Sequence, residues 1–171
     1  LNFKEALDTR REVRRGVINW CCLQWPRVKA ELDLEEKIVL QNTRNEALKT
    51  RVVATLDDCS VYGTQGINFI IPKHSEDSLR YLLGILNSKL INYLFATKFL
   101  NLAIKAEYVK QVRIPNVNDD QRNRIEELVN LVLIGKQKDL DTALLESQID
   151  RLVYQLYGLT EEEIRIVEGK E

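Results

Sequence analysis

This chain is short of the residues that most often carry chemistry, with one histidine, three cysteines and three prolines in 171 residues. Cys21 and Cys22 are adjacent and Cys59 stands apart. An odd count without metal-ligand spacing argues against a disulfide framework or a zinc site and makes a reducing cytoplasm the expected compartment. His74 follows Lys73 near the start of a helical stretch and reads as a surface residue rather than a ligand or general base. No run of eighteen uncharged apolar residues exists, so no segment is expected to span a membrane. The opening LNFKEALDTRREVRRG lacks the apolar core of a signal peptide. Leu1 rather than Met stands first, which gives the expectation of a piece cut from a larger protein. What remains is an ordinary globular composition, 44% apolar and 30% charged, suited to one domain or one domain with an appendage.

Neither sign of charge dominates the whole, since 25 basic residues face 26 acidic ones. Divided at Asn118, however, residues 1–118 hold 18 Lys/Arg against 13 Asp/Glu, a balance of +5, and residues 119–171 hold 7 against 13, a balance of −6. A basic body with an acidic tail is compatible with DNA on one surface and protein or solvent on the other, or with a tail that is simply a solvated helix face.

The pattern along the chain is α+β. Residues 3–15 read as a short amphipathic helix ended by Gly16, with Arg10, Arg11, Arg14 and Arg15 crowding its last turns. Ile18 to Arg27 is a non-helical run holding Trp20 and Trp25, which read as core aromatics rather than base-stacking groups. Strands are expected at Ile38–Leu40, Arg51–Leu56, Val61–Gly63 and Asn68–Ile71, forming a small mixed or antiparallel sheet. A long helix from about Asp77 to Phe95 packs nearby, with Ser75 as a candidate cap and Leu79, Leu82, Leu83, Leu86, Leu90 and Leu94 at helical spacing. Beyond Pro115, Ile125, Leu128, Val129, Val132 and Leu133 repeat at helical intervals, and Leu145, Ile149, Leu152, Val153 and Leu156 do so after Gly135. Gly158 marks a helix end, and Thr160 with Glu163 forms a capping box for a third, short helix. An α-helical hairpin tail docking on the sheet body or on a neighbour is the expected arrangement, with Tyr154 and Tyr157 as packing residues.

Five strings stand in a particular order: the run to LQWPR ending at Arg27, KIVLQ at Lys37 to Gln41, LLGILNSKL at Leu82 to Leu90, RIP at Arg113 to Pro115, and LVYQLYGLTEEEI at Leu152 to Ile164. Together they resemble the TaqI-like C-terminal specificity domain of N6-adenine DNA methyltransferases and combined type II restriction-modification enzymes. The stretch from Ile114-Pro115 through Asp120-Gln121 to Ile125 is also similar to the junction before the spacer helix in type I specificity subunits. The resemblance implies a target-recognition body over residues 1–118, reading a short double-stranded DNA sequence, and an acidic helical region over 119–171. It implies an upstream methyltransferase domain in the same chain that binds S-adenosylmethionine, with magnesium added where the parent also cuts DNA. The methyltransferase signature Asn/Asp-Pro-Pro-Tyr/Phe and its glycine-containing cofactor loop are absent, since Pro26, Pro72 and Pro115 are all isolated. A metal-dependent nuclease needs carboxylates and a lysine at matched positions on adjacent strands. Glu35-Glu36-Lys37 and Asp57-Asp58 lack that spacing and read as solvated turns. No catalytic or metal-binding residue is therefore assigned.

If DNA is the partner, bases must be read by side chains with paired donors and acceptors, while lysines and hydroxyls mostly position phosphates. The polar stretch from Gln41 to Arg51 supplies Gln41, Thr43, Arg44, Asn45, Lys49 and Arg51 as base-reading candidates. Tyr62, Thr64, Gln65 and Asn68, around Gly63 and Gly66, form a second set where glycine permits close backbone approach. Arg27 and Lys29, with Lys105, Tyr108 and Lys110 before a final strand at the RIP segment, are phosphate candidates. The alternative from a different class is a non-catalytic scaffold whose acidic helices dock a methyltransferase or nuclease subunit, or half of a type I specificity subunit.

Overall fold

A computed structural model of the protein describes residues 34, 36–43, 50–58, 66–74, 76–99 and 103–170. The expected helix over 3–15, Trp20, Trp25, the strand at 61–63 and Ser75 lie outside them. The described residues form three strands, β1 (Lys37–Gln41), β2 (Ala54–Asp57) and β3 (Ile67–Ile70). Six helices accompany them: α1 (Leu79–Asn87), α2 (Lys89–Lys98), α3 (Ala106–Val109), α4 (Asp119–Gln137), α5 (Ala143–Tyr157) and α6 (Glu161–Val167).

β1 is the central strand and pairs antiparallel with β2 on one side, Val39 opposite Thr55, and with β3 on the other, Val39 opposite Phe69. Alternation places Ile38 and Leu40, both fully buried, on the face covered by α1. α1 in turn packs against α4, and α4 against α5, so the molecule is layered as sheet, α1 and then the α4–α5 hairpin. One apolar core runs through all three layers, from Ile38 and Leu40 through Leu83 and Leu86 to Ile125, Val129 and Val153. Asn118 is therefore a boundary of charge and not of packing.

The long helix expected from about Asp77 to Phe95 is two helices. Ser88 adopts an extended backbone, its hydroxyl donates to the Ile85 carbonyl at 2.7 Å, and the same oxygen accepts from the Ile91 N–H at 3.3 Å. It thus closes α1 and caps α2 at once. The break re-phases the apolar stripe, so that α2 buries Ile91 and Phe95 rather than Leu90 and Leu94. Ser78 caps the start of α1, accepting from the Tyr81 N–H.

The tail follows its local signals more closely. Asn118 and Gln121 form a reciprocal capping box on α4, and Thr160 and Glu163 form another on α6. Gly158 ends α5 in the left-handed region at φ 67°, and the Leu159 N–H donates to the Tyr154 carbonyl at 3.0 Å. α4 runs through Gly135 to Gln137 and ends with Asp139 at φ 53°, where the Leu140 N–H donates to the Gly135 carbonyl. The strand expected at the RIP segment is not formed. Val112 to Asn118 is irregular, held by two tyrosines: Tyr81 of α1 donates to the Pro115 carbonyl at 3.0 Å, and Tyr157 of α5 to the Arg113 carbonyl at 2.7 Å. Burial pushes both phenols up, Tyr157 to about 12.

Candidate nucleic-acid interface

The Gln41 end of the sheet collects several chain segments. Past β1, the Asn42 N–H donates to the Gly66 carbonyl at 2.9 Å and the Asn42 carbonyl accepts from the Ile104 N–H at 2.6 Å. Thr43 forms an antiparallel bridge with Ala103. Two side-chain amides brace this platform, Asn68 Nδ2 on the Ile104 carbonyl and Gln41 Nε2 on the Thr43 carbonyl, both at 2.7 Å. Thr43 precedes 44–49, Gly66 follows 59–65 and Ala103 follows 100–102. The anchor points of the two base-reading stretches named from the sequence are thus neighbours on one sheet end. Thr43 itself is exposed there. Arg27, Lys29, Arg44, Asn45, Lys49, Tyr62, Thr64 and Gln65 lie outside the described residues.

Arg51 corrects the sequence reading. It is 7% exposed, and its guanidinium donates to the carbonyls of Phe95, at 3.2 Å, and Phe99. These are carbonyls of the last turn and cap of α2, where a cation completes hydrogen bonds that the helix leaves open and complements its dipole. A guanidinium held inward in this way is not presented to a base. The strand expected from Arg51 begins only at Ala54, because the Arg51 and Val52 N–H groups both donate to Asn92 Oδ1, at 2.7 and 2.8 Å. Asn87 then clasps Ala54 in both directions, accepting from its N–H at 3.0 Å and donating to its carbonyl at 2.9 Å. The side-chain amide stands in for a neighbouring strand and closes the outer edge of β2.

Among the phosphate candidates, Lys105 and Lys110 are exposed and Tyr108 is half-buried. The Tyr108 ring stacks on Phe99 with centroids 4.5 Å apart, and Phe99 meets Phe95 at 5.0 Å. Lys105 Nζ lies 5.8 Å over the Tyr108 ring and Lys98 Nζ 5.3 Å over the Phe99 ring, so two ammonium groups flank one aromatic stack. The Lys105–Glu107 pair, at 3.6 Å with both side chains more than half exposed, holds the lysine only weakly. Lys98 was missed in the sequence, where it reads as one more polar residue at a helix end; its signal was the adjacent Phe99.

The charges at the opposite end of β1 are structural. Lys37 and Asp57 are cross-strand partners joined at 2.7 Å, with side chains 0% and 4% exposed. They are therefore not the solvated turns expected from the sequence. Among the described residues no group of three or more His, Cys, Asp or Glu side chains is placed to hold a metal ion. An open cleft beside α1 and α4 is lined by Glu36, His74, Asp77, Arg80, Arg122 and Glu126. Arg80 there is engaged by both oxygens of Glu36, at 2.9 and 2.8 Å, and by Asn130. With its cations matched by carboxylates, this cleft offers a phosphate little net attraction. No helix among the described residues is long and apolar enough to cross a membrane.

A search of curated proteins finds no match to this sequence. The profile of the TaqI-like C-terminal specificity domain matches residues 9–117, ending one residue before the cap of α4. That span contains the sheet, the platform at its Gln41 end and the α1–α2 brace, and it is well over half of the chain. The protein belongs to the TaqI-like C-terminal specificity domain family.

Proposed function

We propose that this protein is a non-catalytic module that reads a short sequence in double-stranded DNA on behalf of an adenine methyltransferase, with or without an attached nuclease. S-adenosylmethionine, and magnesium where DNA is cut, would be held by the rest of that enzyme. The observation that carries the reading is the joining of Asn42 to Gly66 and of Thr43 to Ala103, which roots both polar stretches on one sheet end. Thr43, Arg44, Asn45, Lys49, Tyr62, Thr64 and Gln65 are the base-reading groups. Gln41 and Asn68 brace the platform, and Arg51 braces α2. Arg27, Lys29, Lys105, Tyr108 and Lys110, with Lys98 added, contact phosphates.

Selection from a random duplex library tests this. An enriched motif is expected, with affinity falling steeply as salt rises, because each phosphate contact releases counterions. Weak, salt-insensitive binding without a motif would refute the reading. Arg44→Ala with Lys49→Ala is the appropriate variant; Arg51→Ala would confound lost contacts with a lost helix cap.

A second reading, docking of a methyltransferase or nuclease subunit on the tail, has one observation in its favour. Leu131, Ile134, Leu140 and Leu144 are exposed around the α4–α5 hairpin, Leu144 to 82%, and such apolar patches mark interfaces. Under that reading the Arg44/Lys49 variant keeps its partner and Leu144→Lys loses it.

A further inference from the structure

We infer that Asn92 is a positioning residue for DNA discrimination, an inference that rests on the DNA-reading function proposed above. Successive N–H groups along a strand point to opposite sides. Arg51 and Val52 instead aim theirs at one oxygen, Asn92 Oδ1, at 2.7 and 2.8 Å. The chain must bend there for both to reach it, and the acceptor fixes the bend.

Asn92 is itself held, its Nδ2 donating to the Ser88 carbonyl at 3.1 Å and the Asn87 carbonyl at 3.3 Å. The Ser88 break thus has a second consequence: it turns two asparagines of one helical run, Asn87 and Asn92, toward the main chain of 51–54. The Arg51 guanidinium on the Phe95 and Phe99 carbonyls fastens the same foot from its side chain. The opposite foot, at Asn42 and Thr43, is fixed by Gly66, Ala103 and Ile104. Both feet are therefore set by main-chain hydrogen bonds to parts of the fold distant in sequence.

Direct base readout needs donors and acceptors held to a fraction of an ångström, whereas phosphate contacts by long flexible cations tolerate displacement. Releasing one foot removes discrimination before it removes affinity. Asn92→Ala is expected to lower the ratio of target to non-target affinity about 10-fold or more, the worth of one good bidentate base contact, while non-target affinity stays within about twofold on the phosphate contacts alone. A purely stabilising role would move both affinities together.

The measurement is duplex binding by the whole chain against its selected target and a scrambled duplex, with a thermal melt of each variant. Should Asn92→Ala fail to fold, Asn92→Ser, too short to serve both N–H groups, takes its place. A folded Ala or Ser variant that keeps the wild-type ratio overturns the inference. If the wild-type chain selects no target, the DNA-reading function fails first and the inference with it.

Discussion

Gly84 lies in the middle of LLGILNSKL, where α1 crosses α4, and replacing it tests the layered packing directly. A Cβ at this position would stand 2.8 Å from Ile125 Cγ2, 3.0 Å from Val129 Cγ2 and 3.7 Å from Ile149 Cγ2. Carbon atoms in contact prefer roughly 3.5–4.0 Å, so two of these approaches are short by about half an ångström or more. Ile125 and Val129 are β-branched residues in a helix, with one strongly preferred rotamer, and neither methyl can swing away freely. α1 cannot retreat either, because its opposite side packs on β1 and β2. Two terms then compete. Ala is the better helix former by about 1 kcal/mol, while overpacking a filled core costs about 1–3 kcal/mol. Gly84→Ala should therefore be destabilising by about 1 kcal/mol, seen as a lower urea midpoint and a melting point about 2–4 °C lower for a domain of this size. Combined with Ile125→Ala, its cost should fall short of additive by roughly 1 kcal/mol, since the two sites share one contact. A Gly84→Ala protein more stable than its parent would show that only helix propensity was felt, and that α1 and α4 do not approach as described.

Lys37→Met should be destabilising by up to about 3–5 kcal/mol, because it removes the ammonium that stands 2.7 Å from the buried Asp57 carboxylate, and adding Asp57→Asn should recover part of that loss in a denaturant titration; additive losses would exclude coupling of the pair. Glu146 and Asp150 should respond to acid with opposite sign. Burial opposes ionisation of Glu146, but the Thr142 hydroxyl at 2.6 Å and Lys136 at 2.9 Å outweigh it and hold its carboxyl below the usual range. Its contribution is present above the ordinary carboxylate value and is lost as pH falls through the lowered one. Burial raises Asp150 despite the Lys89 N–H at 2.8 Å, so its ionisation penalty is relieved on acidification. In urea titrations across the carboxylate range, the stability of the parent minus Glu146→Gln should shrink as pH falls, and that of the parent minus Asp150→Asn should grow. Parallel trends would refute the assignment.

Features carried by residues three or four apart were readable without the fold. The capping box of Thr160 and Glu163, the left-handed Gly158 and the periodicity of α4 and α5 each depend on backbone that one short segment supplies. Strand positions at Lys37–Gln41 and Ile67–Ile70 followed from short runs of β-branched, aromatic and other apolar residues between polar loops, to within a residue or two. The role of Gly135 is non-local and leaves no local signal: a Cβ there would lie 2.6 Å from Thr142 Cγ2, so the absence of a side chain lets the chain return past it while α4 continues.

The sequence alone determined the strands around 38–40 and 68–70, the helical periodicity of the tail with its caps at Gly158 and Thr160, and that five strings in order resemble a DNA-specificity domain, because these rest on local geometry and on identity of residue type. Only the tertiary structure decided the direction in which charge and amide groups point. Arg51 looks like a base reader until α2 offers it carbonyls, Lys37 and Asp57 look solvated until strand pairing buries them together, and the run around Ser88 looks continuous until Asn87 and Asn92 find the main chain of 51–54. A polar side chain takes whatever partner the fold brings within about 3 Å, and sequence spacing carries no record of a partner that lies some 40 positions away.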